Sequence, residues 1–244
     1  MRLFGLLGFP LTHSFSQKYF TEKFTSIGMA DAEYRNFSIP DISELHQILK
    51  ADNGLCGFNI TIPYKKQVTQ FLHESTDAVK TMGACNCVHI KNGRLIGYNT
   101  DIVGFEQSLK PFLKPHHTKA LILGTGGAAA AVQYVLRKLN IAYTNVSRNN
   151  GENCIPYSLL NQSLMEQHSL IINTTPVGQY PTIEASPAIP YEFITEAHHL
   201  FDLIYNPTET SFLQRGSAQG ATTQNGYEML VLQAEESWRI WNQA

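Results

Sequence analysis

No stretch of the sequence approaches the roughly 18 consecutive apolar residues that a membrane-spanning helix needs. The apolar start, Met1 to Pro10, carries one basic residue and no small-residue cleavage site, so it is not expected to act as a secretory signal. Runs of Lys or Arg are lacking as well. Acidic and basic residues number 20 and 18, and that balance makes nucleic acid a poor candidate partner. Cysteines are few: Cys56, Cys85, Cys87 and Cys154. None forms a C-x-x-C pair, and no Cys or His set has zinc-like spacing, so no metal site is expected. Cys85 and Cys87 are expected to be buried strand thiols, kept reduced in the cytoplasm. The adjacent pairs His116-His117 and His198-His199 point in different directions on any regular element and are expected on surface loops.

What is present describes a folded protein of two domains. Hydrophobic residues make up 43% and charged ones 16%, which excludes a disordered chain. The 244 residues suit two small cores better than one. Arg2–Gly8, Glu33–Ser38 and Leu55–Ile60 read as strands. A helix over Ser14–Gly28 separates the first two, with Phe20, Lys23, Phe24 and Ile27 at helical spacing. A second helix runs from Asp41 to about Lys50, with Asp41 and Glu44 spaced as a capping box. Alternation of this kind predicts a parallel sheet with crossover helices. Ala84–Ile90 and Leu95–Tyr98 read as strands joined by Lys91-Asn92-Gly93. A helix from about Ile102 to Leu113 leads to a second domain. Its strands are Lys119–Leu123, Ile141–Ser147, Leu170–Ile172 and Leu200–Leu203. Its helices are Ala128–Leu139 and Gly226–Trp241, the latter with Leu230, Val231, Ala234, Trp238 and Trp241 on its apolar face.

Between the first strand and helix of that second domain lies Gly124-Thr125-Gly126-Gly127-Ala128-Ala129, a G-x-G-x-x-[GA] turn. The first glycine permits the tight turn, the second admits a pyrophosphate to the backbone, and the small third position lets helix pack on strand. The helix start adds free N–H donors and a positive dipole end. A plain strain-relieving turn is the bland alternative, and the flanking strand and helix favour a dinucleotide. An acidic residue about 20 positions on would bond the ribose 2′-OH of NAD. The sequence has Ser147-Arg148-Asn149-Asn150 instead, and Arg148 suits the 2′-phosphate of NADP. No other Lys or Arg follows before Arg215.

The first domain carries the polar constellations. Ser14 and Ser16 stand at a helix start, where Ser14 could serve as an N-cap alone. Asn59 and Thr61 share one face at a strand's C-terminal end, and Lys65 is expected in the first turns of a helix beyond it. Ligands of open α/β sheets bind at that end. Asn86 is expected within another strand, and Asn99-Thr100-Asp101 precedes the helix that leaves the domain. Asn59-Ile60-Thr61 also fits a glycosylation sequon, a use that the lack of a secretory signal argues against.

On these motifs the chain resembles the shikimate dehydrogenase family nearly end to end. The segment Gly8 to Ser16 is similar to the family's substrate-binding start, and implies that Ser14 and Ser16 bond the substrate carboxylate. Asn59-Ile60-Thr61-Ile62-Pro63-Tyr64-Lys65 resembles the segment holding the catalytic lysine. Gly83-Ala84-Cys85-Asn86 resembles the one whose Asn holds substrate hydroxyls, and Asn99-Thr100-Asp101 the one whose Asp partners that lysine. Gly124, Gly126, Gly127 and Ala128 match its cofactor turn. Asn173-Thr174-Thr175-Pro176-Val177-Gly178 resembles a cofactor-cleft segment. Asp202 to Pro207, including Leu203, resembles a segment whose Tyr, here Tyr205, reaches substrate. Gly226 and Gln233 match a cofactor-contacting Gly and a substrate-contacting Gln. Gln17, Ala129, Ser147 and Asn149 depart from the family's usual residues, and a second basic residue beside Arg148 is missing.

The resemblance implies a two-domain α/β fold. An α/β substrate domain with a mainly parallel sheet would cover 1–101 and be rejoined by the helix 227–244. A Rossmann-like NADP-binding domain would cover 102–226. The implied reaction is the reversible NADPH-dependent reduction of 3-dehydroshikimate to shikimate, a step in aromatic amino acid biosynthesis. Lys65 and Asp101 would be the catalytic pair. Ser14, Ser16, Asn59, Thr61, Asn86, Tyr205 and Gln233 would hold substrate. Gly124, Gly126, Gly127, Ala128, Arg148, Asn173, Thr174, Leu203 and Gly226 would hold the cofactor. NAD stays open as a cofactor, and the enzyme is expected to be a cytoplasmic monomer or homodimer. Competing readings are a quinate/shikimate dehydrogenase using NAD, a methylenetetrahydrofolate dehydrogenase, and a nonenzymatic ligand sensor on the same scaffold. The second of these should lack both the serine pair and the Asn99-Thr100-Asp101 segment.

Overall fold

The computed structural model describes every residue except Thr12, His13, Asn149, Asn150, Glu152 and Ala244. It divides the chain into two compact units, Met1–Thr100 with Ala234–Ala244, and Asp101–Gln233. The first unit carries β1 (Arg2–Gly8), α1 (Phe15–Ser26), β2 (Ala32–Ser38), α2 (Leu45–Ala51), β3 (Leu55–Ile60), β4 (Glu74–Ser75), α3 (Asp77–Met82), β5 (Cys87–Lys91) and β6 (Arg94–Tyr98). The second carries α4 (Asp101–Leu109), β7 (Lys119–Leu123), α5 (Gly127–Lys138), β8 (Ala142–Ser147), β9 (Cys154–Pro156), α6 (Gln162–Gln167), β10 (Leu170–Asn173), β11 (His199–Asp202), α7 (Ser211–Ser217) and β12 (Thr222–Gln224). The last helix, α8 (Tyr227–Trp241), starts in the second unit and ends in the first. Among the described residues no helix is long and apolar enough to cross a membrane.

The sheet of the first unit has the order β2-β1-β3-β5-β6-β4. β1 pairs in parallel with β2 and β3, and β4 with β6, while β5 is antiparallel to both of its neighbours. β1 is buried on both faces, which is why its sequence reads as an unbroken apolar run. Its residues alternate between two cores. Leu3 and Leu7 join Leu45, Phe58 and Val88 on one face. Phe4 and Leu6 join Phe20, Phe24 and Trp241 on the other. The chain leaves β1 toward β2 on one side and returns to β3 on the other, so the C-terminal ends of β1 and β3 flank a topological switch point.

The second sheet has the order β12-β11-β10-β7-β8-β9, and every pairing in it is parallel. Counted along this unit the order is 3-2-1-4-5-6, the doubly wound dinucleotide-binding arrangement, with its switch point between β7 and β10. Its core gathers Leu121, Leu123, Val146, Ile171, Leu200 and Phe212.

Several local expectations are corrected. Asp41 accepts from the Ser43 N–H at 2.8 Å, so it caps a 3₁₀ turn (Ile42–Glu44) that precedes α2, and not the expected capping box. α4 stops at Leu109 because Pro111 lacks an N–H, and the chain tightens into a 3₁₀ turn, Lys110–Phe112. The buried face of α8 runs through Met229, Gln233, Ala234, Ser237, Ile240 and Trp241, with Leu230, Val231 and Trp238 half-buried beside it. Of these four histidines only His116 is exposed. His117, His198 and His199 are buried, and His199 is a strand residue whose Nδ1 meets Thr222 Oγ1 at 2.9 Å. Cys85 is buried but lies before β5, which Cys87 begins.

Candidate functional site

The first unit builds its candidate site around the ends of β1 and β3. Gly8 closes β1. A Cβ there would stand 2.5 Å from Thr61 Cγ2 and 3.1 Å from the Ile62 carbonyl, so only glycine lets the two strand ends approach. Beyond Thr61 the chain forms a turn through Lys66 and then a 3₁₀ turn, Gln67–Phe71, in place of the helix expected around Lys65. Lys65 sits half-buried in that turn, and its carbonyl accepts the Cys85 N–H at 2.8 Å. Ser14 caps α1, its hydroxyl accepting from the Gln17 N–H at 3.1 Å. The Thr12-His13 step of the expected substrate segment lies outside the described residues, as does Asn149 after Arg148.

A buried polar network connects the rest. The Ser16 hydroxyl bonds the Tyr34 phenol, whose burial pushes its pKa well above the ordinary value. Tyr34 in turn donates to Asn59 Oδ1 at 2.9 Å. Asn59 Nδ2 donates to Ser237 Oγ at 2.8 Å and to the Asn86 carbonyl at 3.3 Å. Asn86 precedes β5 and is not a strand residue. Its Oδ1 accepts the Thr100 N–H at 2.6 Å, and its Nδ2 lies 3.1 Å from Thr100 Oγ1. Asn59 therefore directs both N–H donors to protein groups. The residue after Thr100, Asp101, is buried at the first position of α4, where a carboxylate also suits the helix dipole.

The second unit presents a candidate cofactor cradle at its own switch point. Gly124 directly follows β7 with φ +110°, a conformation that favours glycine, and a Cβ there would stand 2.7 Å from Thr174 Oγ1. The Thr174 hydroxyl and N–H both donate to the Leu123 carbonyl, at 2.7 and 2.9 Å, which fixes β10's end against the turn. Gly126 differs: a Cβ on it meets nothing within 4 Å, leaving open space over the backbone. α5 starts at Gly127 with no side-chain cap hydrogen bond, and Ala128 follows in its first turn. The third small position, Ala129, is buried. An open glycine before an uncapped helix start fits a pyrophosphate. Arg148 is exposed directly after β8, the edge where a 2′-phosphate would lie.

Asn173, at the tip of β10, is buried and engaged on every side. It donates to Asp202 Oδ1 at 3.0 Å and accepts from the Thr175 N–H and hydroxyl at 3.0 and 2.6 Å. Its carbonyl accepts the Leu203 N–H at 3.0 Å. Gly226 packs on Leu203 so closely that a Cβ would fall 2.1 Å from the Leu203 carbonyl oxygen. Tyr205 is 36% exposed just beyond. Gln233 is buried, with Nε2 donating to the Leu230 carbonyl at 2.9 Å. Among the described residues no group of His, Cys, Asp or Glu could hold a metal.

Sequence reasoning missed Tyr34, Thr100 and Ser237 as members of the site. The only signal was a hydroxyl at a position whose neighbours are core residues, and that signal is weak because hydroxyls also occur on surfaces.

A sequence model described as the shikimate dehydrogenase substrate binding domain matches residues 6–88. The NADP(+) shikimate dehydrogenase of Methanococcus maripaludis strain C6 is 37% identical over 258 aligned residues, covering 98% of this chain and 91% of that protein. The shikimate 5-dehydrogenase of Thermus thermophilus, solved with NADP(H) and shikimate, superposes with a TM-score of 0.87 at 30% identity, covering 99% of this chain and 94% of the other. Quinate dehydrogenase of Corynebacterium glutamicum, solved with NAD, gives the same TM-score of 0.87 at 25% identity, covering 99% and 93%.

Proposed function

The chain belongs to the shikimate dehydrogenase family, and from that premise we propose that it reversibly reduces 3-dehydroshikimate to shikimate with NADPH. The observation that carries the reading is the Gly124–Gly127 turn. It sits at the switch point of a 3-2-1-4-5-6 sheet, with open space over Gly126 and an uncapped helix start behind it.

In this reading the substrate domain is 1–101 with 227–244 and the cofactor domain is 102–226. Ser14 and Ser16 hold the substrate carboxylate. Thr61, Asn86, Tyr205 and Gln233 hold the ring hydroxyls, with Asn59 behind them. Gly124, Gly126, Gly127 and Ala128 hold the pyrophosphate. Arg148 pairs with the 2′-phosphate, and Thr174, Leu203 and Gly226 line the nicotinamide side, with Asn173 bracing them. NADPH, when bound, supplies the hydride.

The proton comes from the protein. As the C3 carbonyl carbon gains a hydride, its oxygen becomes an alkoxide and needs a proton. Lys65 donates that proton and takes it back in the reverse direction, and its positive charge stabilises the developing oxyanion. Asp101 orients Lys65 and the substrate hydroxyls. The enzyme works on a small molecule in the cytoplasm, as a monomer or homodimer.

A second reading, a quinate/shikimate dehydrogenase using NAD, is favoured by one observation: Arg148 has no second Lys or Arg after it until Arg215. Initial rates with shikimate or quinate, each with NADP⁺ or NAD⁺, decide between them. The main reading expects shikimate with NADP⁺ to give the highest kcat/KM. A higher value for quinate with NAD⁺ would replace it.

A further inference from the structure

Ser237 lies on α8 with no exposed surface, on the helix that also carries the buried Ala234, Ile240 and Trp241 of the core around Phe4 and Phe20. A hydroxyl buried there needs partners, because an unpaired one is costly. Its oxygen accepts from Asn59 Nδ2 at 2.8 Å and stands 3.3 Å from Thr100 Oγ1. It also bonds the Cys87 thiol, which burial holds well above its ordinary pKa. The residues it reaches belong to three separate segments: the tip of β3, the start of β5, and the residue before Asp101.

Those contacts converge on Asn86. Thr100 binds the Asn86 amide at Oδ1 through its N–H, and at Nδ2 through its hydroxyl. Asn59 binds the Asn86 carbonyl. Ser237 thus holds Asn86 by two routes, one through each of these residues. Through Asn59 and Tyr34 the same chain of bonds reaches Ser16. Networks of this kind, fully satisfied inside a core, fix one geometry for their members.

We propose that Ser237 is a positioning residue for the substrate: its buried hydroxyl sets the orientation of the Asn86 amide and of the Ser16–Tyr34–Asn59 line. The inference rests on the assignment of Ser16 and Asn86 to substrate binding. Ser237 touches neither substrate nor cofactor. Its loss weakens the hold on shikimate and leaves the Gly124–Gly127 cradle, which belongs to the other unit, as it was.

The test is steady-state kinetics on the full chain. Ser237→Ala is expected to raise KM for shikimate about tenfold, the scale of one buried hydrogen bond, while KM for NADP⁺ stays within about twofold. Thr100→Val cuts the same link from its other end and is expected to show the same split. The double variant is expected to be less impaired than the product of the two single effects. An unchanged KM for shikimate in Ser237→Ala, or equal rises in both KM values, overturns the proposal. If Ser237→Ala does not fold, Thr100→Val alone decides on the same split. Failure of the wild-type chain to turn over shikimate would overturn the functional reading itself, and the inference with it. Wild-type turnover without the split overturns the inference alone.

Discussion

Asn173 and Asp202 face each other in register at the tips of β10 and β11, and the Asn173 amide donates to the Asp202 carboxylate at 3.0 Å. The same carboxylate accepts the Thr210 hydroxyl at 2.6 Å and the Ile204 N–H at 3.1 Å. These bonds fix the two strand ends that carry Thr174 and Leu203. They do not compensate fully for burial, which pushes the Asp202 carboxyl up to about 6 from an ordinary value of 3.8. Three residues earlier on the same strand, His199 is pushed the other way. Burial first, then the neighbouring His117, lowers it to about 4 from 6.5.

Opposed pH dependences follow from that strand. Asp202 holds its proton more tightly when folded, so its contribution to stability is full below about pH 4 and lost as pH rises through about 6. His199 holds its proton less tightly when folded, so its contribution is full above about pH 6.5 and lost as pH falls through about 4. Each shift is worth on the order of 3 kcal/mol. His117 and His168, also lowered by burial, side with His199. Between pH 7 and 4 the wild type is expected to lose stability, Asp202→Asn to lose more, and His199→Gln to lose less. Urea unfolding across that range measures all three, and an unchanged slope in His199→Gln would remove that residue from the account.

The two glycines of the cofactor turn should separate fold from binding. Gly126 faces open space, so Gly126→Ala is expected to keep its melting temperature while KM for NADP⁺ rises at least about tenfold. Gly124 has φ +110° and a neighbour 2.7 Å from any Cβ, so Gly124→Ala is expected to lose at least roughly 1–2 kcal/mol of stability. Thermal melts beside initial rates read both. Equal destabilisation by the two substitutions would contradict the assignment of Gly126 to the cofactor.

Cofactor choice should rest on Arg148. A charge-assisted contact to the 2′-phosphate is worth about 1.5–3 kcal/mol. Arg148→Ala is expected to raise KM for NADP⁺ by about tenfold or more and to leave KM for NAD⁺ within about twofold. Equal effects on the two cofactors would make Arg148 a general contact and not a phosphate reader.

The legible parts of the fold are those with strong local patterning. β1 and β7 are continuous apolar runs because both faces are covered, and Gly124 to Ala129 announces the turn between β7 and α5. Elements of two or three residues, such as β4, β9 and β12, are too short to show any period, and Pro156 argues locally against a strand. His199 escapes a sequence reading because a polar residue suggests surface, whereas its place in β11 is set by the sheet around it. In the candidate site, motif order identifies which residues cluster at strand ends. It does not separate Asn59, whose donors are spent on the fold, from Asn86, because both are asparagines near a strand tip. Ser237 gives only a weak sign, its helical spacing from the buried Ala234 and Trp241, because a single hydroxyl on such a face does not reveal its partners.

The most direct test of the account is kcat for shikimate oxidation by NADP⁺ in the wild type and in Lys65→Ala, followed by the appearance of NADPH. With Lys65 as proton donor, the wild type turns over shikimate and the variant's kcat falls at least about 10²-fold, with KM for shikimate changing less. A near-normal kcat in Lys65→Ala would contradict it, and so would a wild-type chain that binds shikimate and NADP⁺ without turning them over.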